Sequence, residues 1–305
     1  MKVFDAQAAL GFVLSQTSHI EAQVYQIRYP DIQYPNLIPV DTSAHPFAKT
    51  VTYFSSDKFG AAEWINGNAD DVPIAGTQRA KHETSVYTAG IGYAYGWEEI
   101  NHAQMLGINL TADDAMAARR AYEEMVDRVA LEGDTSKGFE GLFNHSDIPV
   151  VAPLTGDWTT ANADQILADV NGALAGIHVN TKTVELADTL VLPWTRMHTI
   201  STKRLGDTNM TVLEFLRQNN IYTANTGQQL MIRGVRGLDA AGTSGTPRML
   251  TYRRSPEVLK LHIPMPHRFL PVYQAGPLRF EVPGVFRLGG LDIRLPKAMA
   301  YTDGI

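Results

Sequence analysis

Three places bring together side chains that could move a proton or hold a metal: Glu99-x-x-His102, His145 with Asp147, and His262 with His267. Glu99 and His102 would share one helical face, as ligands do in di-iron bundles. That site also needs a second such pair and two further helical glutamates, so a solvated helix start is the better reading. His145 and Asp147 could form an acid–base pair, yet no nucleophile partner can be identified from the sequence. His262 and His267 flank Ile263-Pro264-Met265-Pro266, whose prolines forbid the helical spacing of a zinc motif, so both read as structural.

Two glycine patterns are also weaker than they look. Gly90-x-Gly92-x-x-x-Gly96 is one residue too long for a dinucleotide fingerprint and lies within a strand pattern. Gly242-Thr243-Ser244-Gly245 resembles a nucleophile elbow, but no strand feeds it. There is no G-x-x-x-x-G-K-[ST], no H-E-x-x-H and no basic run interleaved with aromatics; Arg253-Arg254 is an isolated pair. With no cysteine in 305 residues, disulfides, thiolate metal sites and a cysteine nucleophile are excluded. The reading is a chain with no catalytic residue, no metal and no cofactor.

The elements that would have to position such a site suggest another purpose. At 44% hydrophobic residues the chain can bury a real core, and no apolar run approaches the roughly 18 residues that span a bilayer, which predicts a soluble, unexported protein. The net charge of −6 is uneven: Gln228 to Ile305 holds 11 Lys/Arg against 5 Asp/Glu, the preceding residues 15 against 27. Such halves attract, within one copy or between copies.

From Asp5 to about Gln26 a marginal amphipathic helix is expected. It runs into Arg28–Pro39, where Pro30, Pro35 and Pro39 predict a stiff extended arm outside the core that exposes Ile32, Tyr34, Leu37 and Ile38 until something covers them. The β-branched and aromatic runs Thr50–Phe54 and Thr84–Tyr93 read as strands of a long two-stranded excursion, with Asn66-Gly67 a turn between them. An isolated hairpin of that kind is marginal without a partner surface. Thr111-Ala112-Asp113-Asp114 then starts the strongest helix, with Ala115, Ala118, Tyr122, Met125, Val126 and Val129 as its apolar stripe and Gly133 as its stop. Further on come a helix over about 160–178, a buried strand Thr189–Leu192, a helix capped by Thr211, an exposed and mobile loop Gly237–Pro247, and a strand-rich stretch from Met249 to Met299. A terminal helix, an arm and a long hairpin suit a chain that touches copies of itself.

In that order these pieces resemble a tailed-bacteriophage major capsid protein of the Hong Kong 97-like fold. The junction Ala130-Leu131-Glu132-Gly133-Asp134-x-x-x-Gly138-Phe139-x-Gly141-Leu142-Phe143-Asn144 resembles the exit of the spine helix in these shells, which ends in a Gly-Leu-x-Asn turn. Ala187–Pro193 followed by Thr211–Leu216 resembles their axial domain. Glu257–Pro266 and Pro283-Gly284-Val285-x-Arg287-x-Gly289-Gly290, running to Pro296-Lys297-Ala298, resemble the phage capsid and encapsulating-protein branch.

The resemblance implies an α+β fold with an N-terminal arm over 1–46, an extended hairpin or E-loop over 47–96, and a peripheral domain over 97–185 whose spine helix covers about 109–132. An axial domain over 186–265 and return strands of the peripheral domain over 266–305 complete it. It implies a virion shell of pentamers and hexamers, icosahedral or prolate, assembled in the bacterial cytoplasm around double-stranded DNA that is contacted weakly and without sequence specificity. Scaffolding protein, portal and a decoration protein would be separate partners, since the arm begins too early to leave room for a fused scaffold. Ile32, Tyr34, Leu37, Lys58, Trp64 and Ile65 are the expected assembly contacts, with both apolar groups, arm and hairpin tip, buried only on assembly.

One departure from the family bears on stability. Its founding member joins mature subunits by an isopeptide bond between an E-loop lysine and an asparagine of the peripheral domain. Lys58 could supply the amine here, but the last asparagine is Asn225, so noncovalent stabilisation or a decoration protein is expected. The alternatives are an encapsulin-type compartment around an enzyme cargo and, further off, an α/β enzyme using His145 and Asp147.

Overall fold

The computed structural model describes residues 30–67, 72–106 and 110–305. The chain divides into two units, Met1–Asp31 and Ile32–Ile305, and the architecture below is that of the second. The helix expected over about 5–26 lies outside the described residues.

The long helix runs Leu110–Leu131, about 33 Å at 1.5 Å per residue. Its stripe is the buried one: Ala118 is buried, and Tyr122, Val126 and Val129 enter a core with Leu142, Phe143, Leu250, Tyr252, Leu261, Phe286 and Leu288. The helix ends as its sequence requires. Gly133 takes φ +84°, a conformation that costs glycine little, and the chain doubles back so that the Leu142 amide donates to the Ala130 carbonyl (2.9 Å) and the Phe143 amide to that of Leu131 (2.9 Å). Asn144 closes the turn, accepting from the Gly141 amide and donating to the Glu132 carbonyl, both at 2.8 Å.

A second core lies against the opposite face of a five-stranded sheet, whose alternate residues enter the first. Its order is Met231–Val235, Thr189–Pro193, Arg248–Tyr252, Met299–Asp303 and Val150–Val151. Thr189–Pro193 and Arg248–Tyr252 are buried along their whole length, which explains the apolar run Leu190–Leu192 in the first; in the second, Arg248 is buried as well, paired with Asp303. The helix Ala163–Asn180 packs beside the sheet through Ile166, Val170, Leu174 and Ile177. Asn162 and Gln165 start it with a reciprocal capping box, each side chain accepting from the other's amide at 2.8 Å. Asp169, buried on this helix, accepts from the amides of Leu154 and Thr155, the Thr155 hydroxyl and the Trp158 indole, and so fixes the loop that precedes the helix.

Two three-stranded antiparallel sheets, consecutive along the chain and together termed a bent ribbon, and a small sheet follow. In the ribbon, Arg279–Val282 and Gly284–Leu288 run down the middle; Tyr93–Gly96 and Tyr87–Gly90 flank one edge, Tyr273–Gly276 and Met265–Phe269 the other. A Cβ on Gly92 would overlap the Val282 carbonyl oxygen, so this glycine permits close approach of two strands. The small sheet has the order Val40–Asp41, Leu259–His262, Gly290–Ile293.

Four expectations change. The segment after Pro30 is not an arm outside the core: Tyr34–Leu37 is a helical turn with Pro35 in its first turn, where a missing amide hydrogen costs nothing. The run Thr84–Tyr93 is not one strand; it closes the hairpin at Ser85, then enters the ribbon at Tyr87. The loop Gly237–Pro247 is not simply exposed, because Leu238 is fully buried and the amide and hydroxyl of Thr243 both donate to Asp303 at 2.9 Å. Met299–Asp303, expected among the return strands of the peripheral domain, pairs with Arg248–Tyr252 inside the five-stranded sheet.

Candidate assembly surface

The hairpin pairs Thr50–Phe59 with Gly76–Ser85 in unbroken register, from Thr50 opposite Ser85 to Phe59 opposite Gly76. Ten residues of strand reach about 33 Å. Only the root meets the body: Val51, Tyr53 and Thr84 are half-buried, whereas Phe54–Phe59 and Thr77–Glu83 are exposed throughout. At the far end the Phe59 ring covers the face of Gly76, and Gly60 adopts φ +125° with no room for a Cβ beside Ala75. Glycine at 60 is therefore what lets the first strand end there.

Beyond that turn the chain carries apolar side chains into solvent. Trp64 is wholly exposed, Ile74 is 87% exposed, and Phe59, Ile65 and Val72 are more than half exposed. Single exposed apolar residues are ordinary, but five on one projecting tip form an exposed apolar group. Trp64 and Ile65, which the sequence singles out, are among the exposed ones. Phe59, Val72 and Ile74 were missed, although each is an isolated apolar residue in a polar, glycine-bearing stretch. Lys58 stands exposed in the ladder opposite Thr77.

The other three expected contacts lie elsewhere. Tyr34 and Leu37 are buried in the first core and Ile32 packs against it. The amides of Gln33 and Tyr34 both donate to Asp127 Oδ1 at 2.8 Å, and the Tyr34 hydroxyl donates to Glu123 Oε2 at 2.8 Å. Burial, reinforced by the Glu123 carboxylate, pushes the Tyr34 phenol far above its ordinary range. From the sheet side the Tyr252 hydroxyl donates to the Leu37 carbonyl at 2.8 Å. These side chains complete the subunit's own core, so they are not a surface held back for a neighbour.

The candidate chemical groups are used as braces. His145 Nδ1 accepts from the Asp147 amide (3.2 Å) and lies 3.4 Å from Glu140 Oε2, so its carboxylate neighbour is Glu140 and not Asp147. Burial pushes the Glu140 carboxyl up, but hydrogen bonds from the amide and hydroxyl of Ser146 outweigh it and hold the group low. His262 is buried with Nε2 3.2 Å from Asp292 Oδ2, while the His267 ring stacks on Tyr122 and places Nε2 3.0 Å from the Ile91 carbonyl. Glu99 Oε2 accepts from the Gly96 amide at 2.9 Å, as a helix start would have it; the His102 side chain lies outside the described residues. Thr243–Gly245 forms a 3-10 turn with Ser244 at φ 60°. Among the described residues no group of three or more His, Asp or Glu could hold a metal ion, and no helix is long and apolar enough to cross a membrane.

A long, solvated hairpin with an apolar tip, set on a body whose titratable groups serve as struts, is a shape for joining copies. A model of the major capsid protein family matches residues 60–305. The chain belongs to that family. Its structural neighbours include chains from phage and GTA capsids. The capsid of Myoviridae phage XM1 superposes with a TM-score of 0.80 at 18% identity, covering 95% of this chain and 98% of that one. Microbacterium phage Oxtober96 gives 0.64 at 13% identity, with 99% of each chain covered. The capsid of the native GTA particle gives 0.65 at 10% identity, again covering 99% of each. At these identities the likeness establishes the fold: a mixed helix-and-sheet capsid subunit. No curated protein matches the chain by sequence. The family places the protein in a phage head shell; an encapsulin compartment is not favoured.

Proposed function

We propose that this major capsid protein closes its shell from pentamers and hexamers around packaged double-stranded DNA, and that the hairpin tip is a principal contact between neighbouring copies. The observation that carries this is Trp64, wholly exposed at the end of a hairpin that meets its own body only at the root. Burying such a ring, with Ile65 beside it, removes apolar area from water only when another copy is present. Lys58 lies along the same hairpin as a charged contact at the rim. Shell subunits of this kind bury far more than a standard pairwise interface by laying projections on several neighbours.

The finer reading follows the domain pattern of the resemblance: 47–96 as E-loop, the long helix as spine in a peripheral domain, and the five-stranded sheet with its helices as axial domain around the fivefold and sixfold axes. Scaffolding, portal and decoration proteins act as separate partners, and assembly takes place in the host cytoplasm before the shell becomes part of the virion. DNA is held weakly and without sequence specificity, because tight adhesion would oppose packaging and release; a strong salt-dependent affinity for DNA would contradict this.

The test is size-exclusion chromatography with negative-stain electron microscopy of wild type and Trp64→Ala. Wild type should give angular shells, or pentamers and hexamers, and Trp64→Ala should give fewer with an unchanged subunit melting temperature. Equal loss of assembly and subunit stability would overturn the tip assignment.

A further inference from the structure

The hairpin is a lever, and the position of its tip depends on what holds its root. Tyr53 is the last residue of the first strand that touches the body; every later residue of that strand is exposed. The Arg294 guanidinium lies over the Tyr53 ring, 4.6 Å from its centroid, and the imidazole of His82, the cross-strand partner of Tyr53, stacks on the same ring at 4.7 Å and 12°. Arg294 is itself held. Its Nε donates to Asp292 Oδ2 at 3.2 Å, and the same oxygen lies 3.2 Å from Nε2 of the buried His262.

Beside this contact is a cleft of about 660 Å³ between the hairpin root and the body. Lys81, His82 and Glu83 line it from the hairpin; Lys137, Glu140 and Asp147 line it from the body. The cleft leaves room for the hairpin to swing, and both walls carry charges of both signs. Val51 and Thr84 pack at the root, and the Arg294–Tyr53 stack is the outermost hold on the first strand, so it has the longest leverage on the hairpin's direction.

We propose that Arg294 is the positioning residue of the hairpin: stacked on Tyr53 and held by Asp292, it sets the angle at which the hairpin leaves the body and thereby the rate at which copies join. The second half rests on the reading that the tip contacts neighbouring copies; the first half does not. A guanidinium suits the role because its plane can stack on a ring while its edge donates to a carboxylate, which an ammonium cannot do from one position.

The chain has no cysteine, so Gln78→Cys on the hairpin and Ala117→Cys on the exposed face of the long helix can be spin-labelled selectively. The distance distribution between them is measured in the unassembled full-length subunit, and assembly is followed by light scattering. Arg294→Ala and Tyr53→Leu should broaden the distribution and slow assembly roughly two- to fivefold, the loss of one partly exposed cation–π contact per subunit. Tyr53→Phe should keep both wild-type values, and Arg294→Lys should restore them only in part. A narrow distribution in Arg294→Ala would overturn the positioning role. A broad distribution with unchanged assembly would overturn the link to joining. Normal assembly of Trp64→Ala would count against the tip reading alone and leave the distance result standing.

Discussion

Arg248 and Asp303 meet through two hydrogen bonds, Nε to Oδ1 at 2.6 Å and Nη2 to Oδ2 at 2.8 Å, with both side chains less than one-tenth exposed. The pair sits across adjacent strands of the five-stranded sheet and is anchored on both sides. Arg248 Nη1 donates to the Phe143 carbonyl at 2.7 Å and its guanidinium lies 4.1 Å from the Tyr301 ring centroid, while Asp303 also receives both donors of Thr243. One ion pair therefore ties the turn after the long helix, the loop Gly237–Pro247 and two sheet strands together.

Breaking that pair from one side leaves a buried charge alone. Asp303→Ala should cost the subunit about 3–5 kcal/mol, read as a lower urea midpoint with an unchanged slope. A loss below about 1 kcal/mol would mean the pair behaves as a surface bridge.

Acid should act at the same place. Burial pushes the Asp303 carboxyl up, but its hydrogen bonds with Arg248 and Thr243 outweigh that and hold it below the usual carboxylate range; Asp292 is lowered in the same manner by His262 and Arg294. A lowered folded-state value means these groups contribute stability above the ordinary carboxylate pKa of about 4, and that contribution is lost as pH falls through the folded value. Melting temperatures of wild type should drop steeply below about pH 4, and Asp303→Ala should show a shallower fall.

Leu37 and Trp64 should separate folding from assembly. Leu37→Ala removes a fully buried side chain from the subunit's own core and should cost about 2–5 kcal/mol in the free subunit. Trp64→Ala should change free-subunit stability by less than about 0.5 kcal/mol and lower shell yield. The reverse pattern would return the segment 33–37 to the interface.

Asp169 accepts four hydrogen bonds, and removing it strands the Trp158 indole in the second core and the amides of Leu154 and Thr155 beside it. Asp169→Ala should cost about 2–4 kcal/mol, with loss of the near-ultraviolet signal of Trp158 as its marker.

Mature particles should run as monomers on a denaturing gel, since no asparagine follows Asn225 to meet Lys58. Lys58→Ala should leave the gel unchanged. A ladder that vanishes in this variant would establish a covalent shell.

The sequence made the long helix plain because Ala118, Tyr122, Val126 and Val129 repeat on one buried face and Gly133 stops them. It made Thr189–Pro193 plain because a strand buried on both faces is an unbroken apolar run. It concealed Gly76–Ser85, since a strand with both faces in water has no alternation to detect, and its partner residues are supplied by register alone. It misplaced Tyr34 and Leu37 because Pro35 reads as extended from local chemistry, whereas the decisive groups, Asp127 and Tyr252, lie far along the chain. The hairpin tip was half legible: Trp64 and Ile65 stand out, but what fixes the tip's direction, Arg294 against Tyr53, has no local signal.

The placement of Met299–Asp303 between Arg248–Tyr252 and Val150–Val151 has a consequence for biosynthesis. While the ribosome is still making the residues before 299, Val150–Val151 have no strand to pair with and Arg248 has no Asp303. The sheet closes only once this late segment emerges, so the body of a growing chain stays incomplete until synthesis has passed that point.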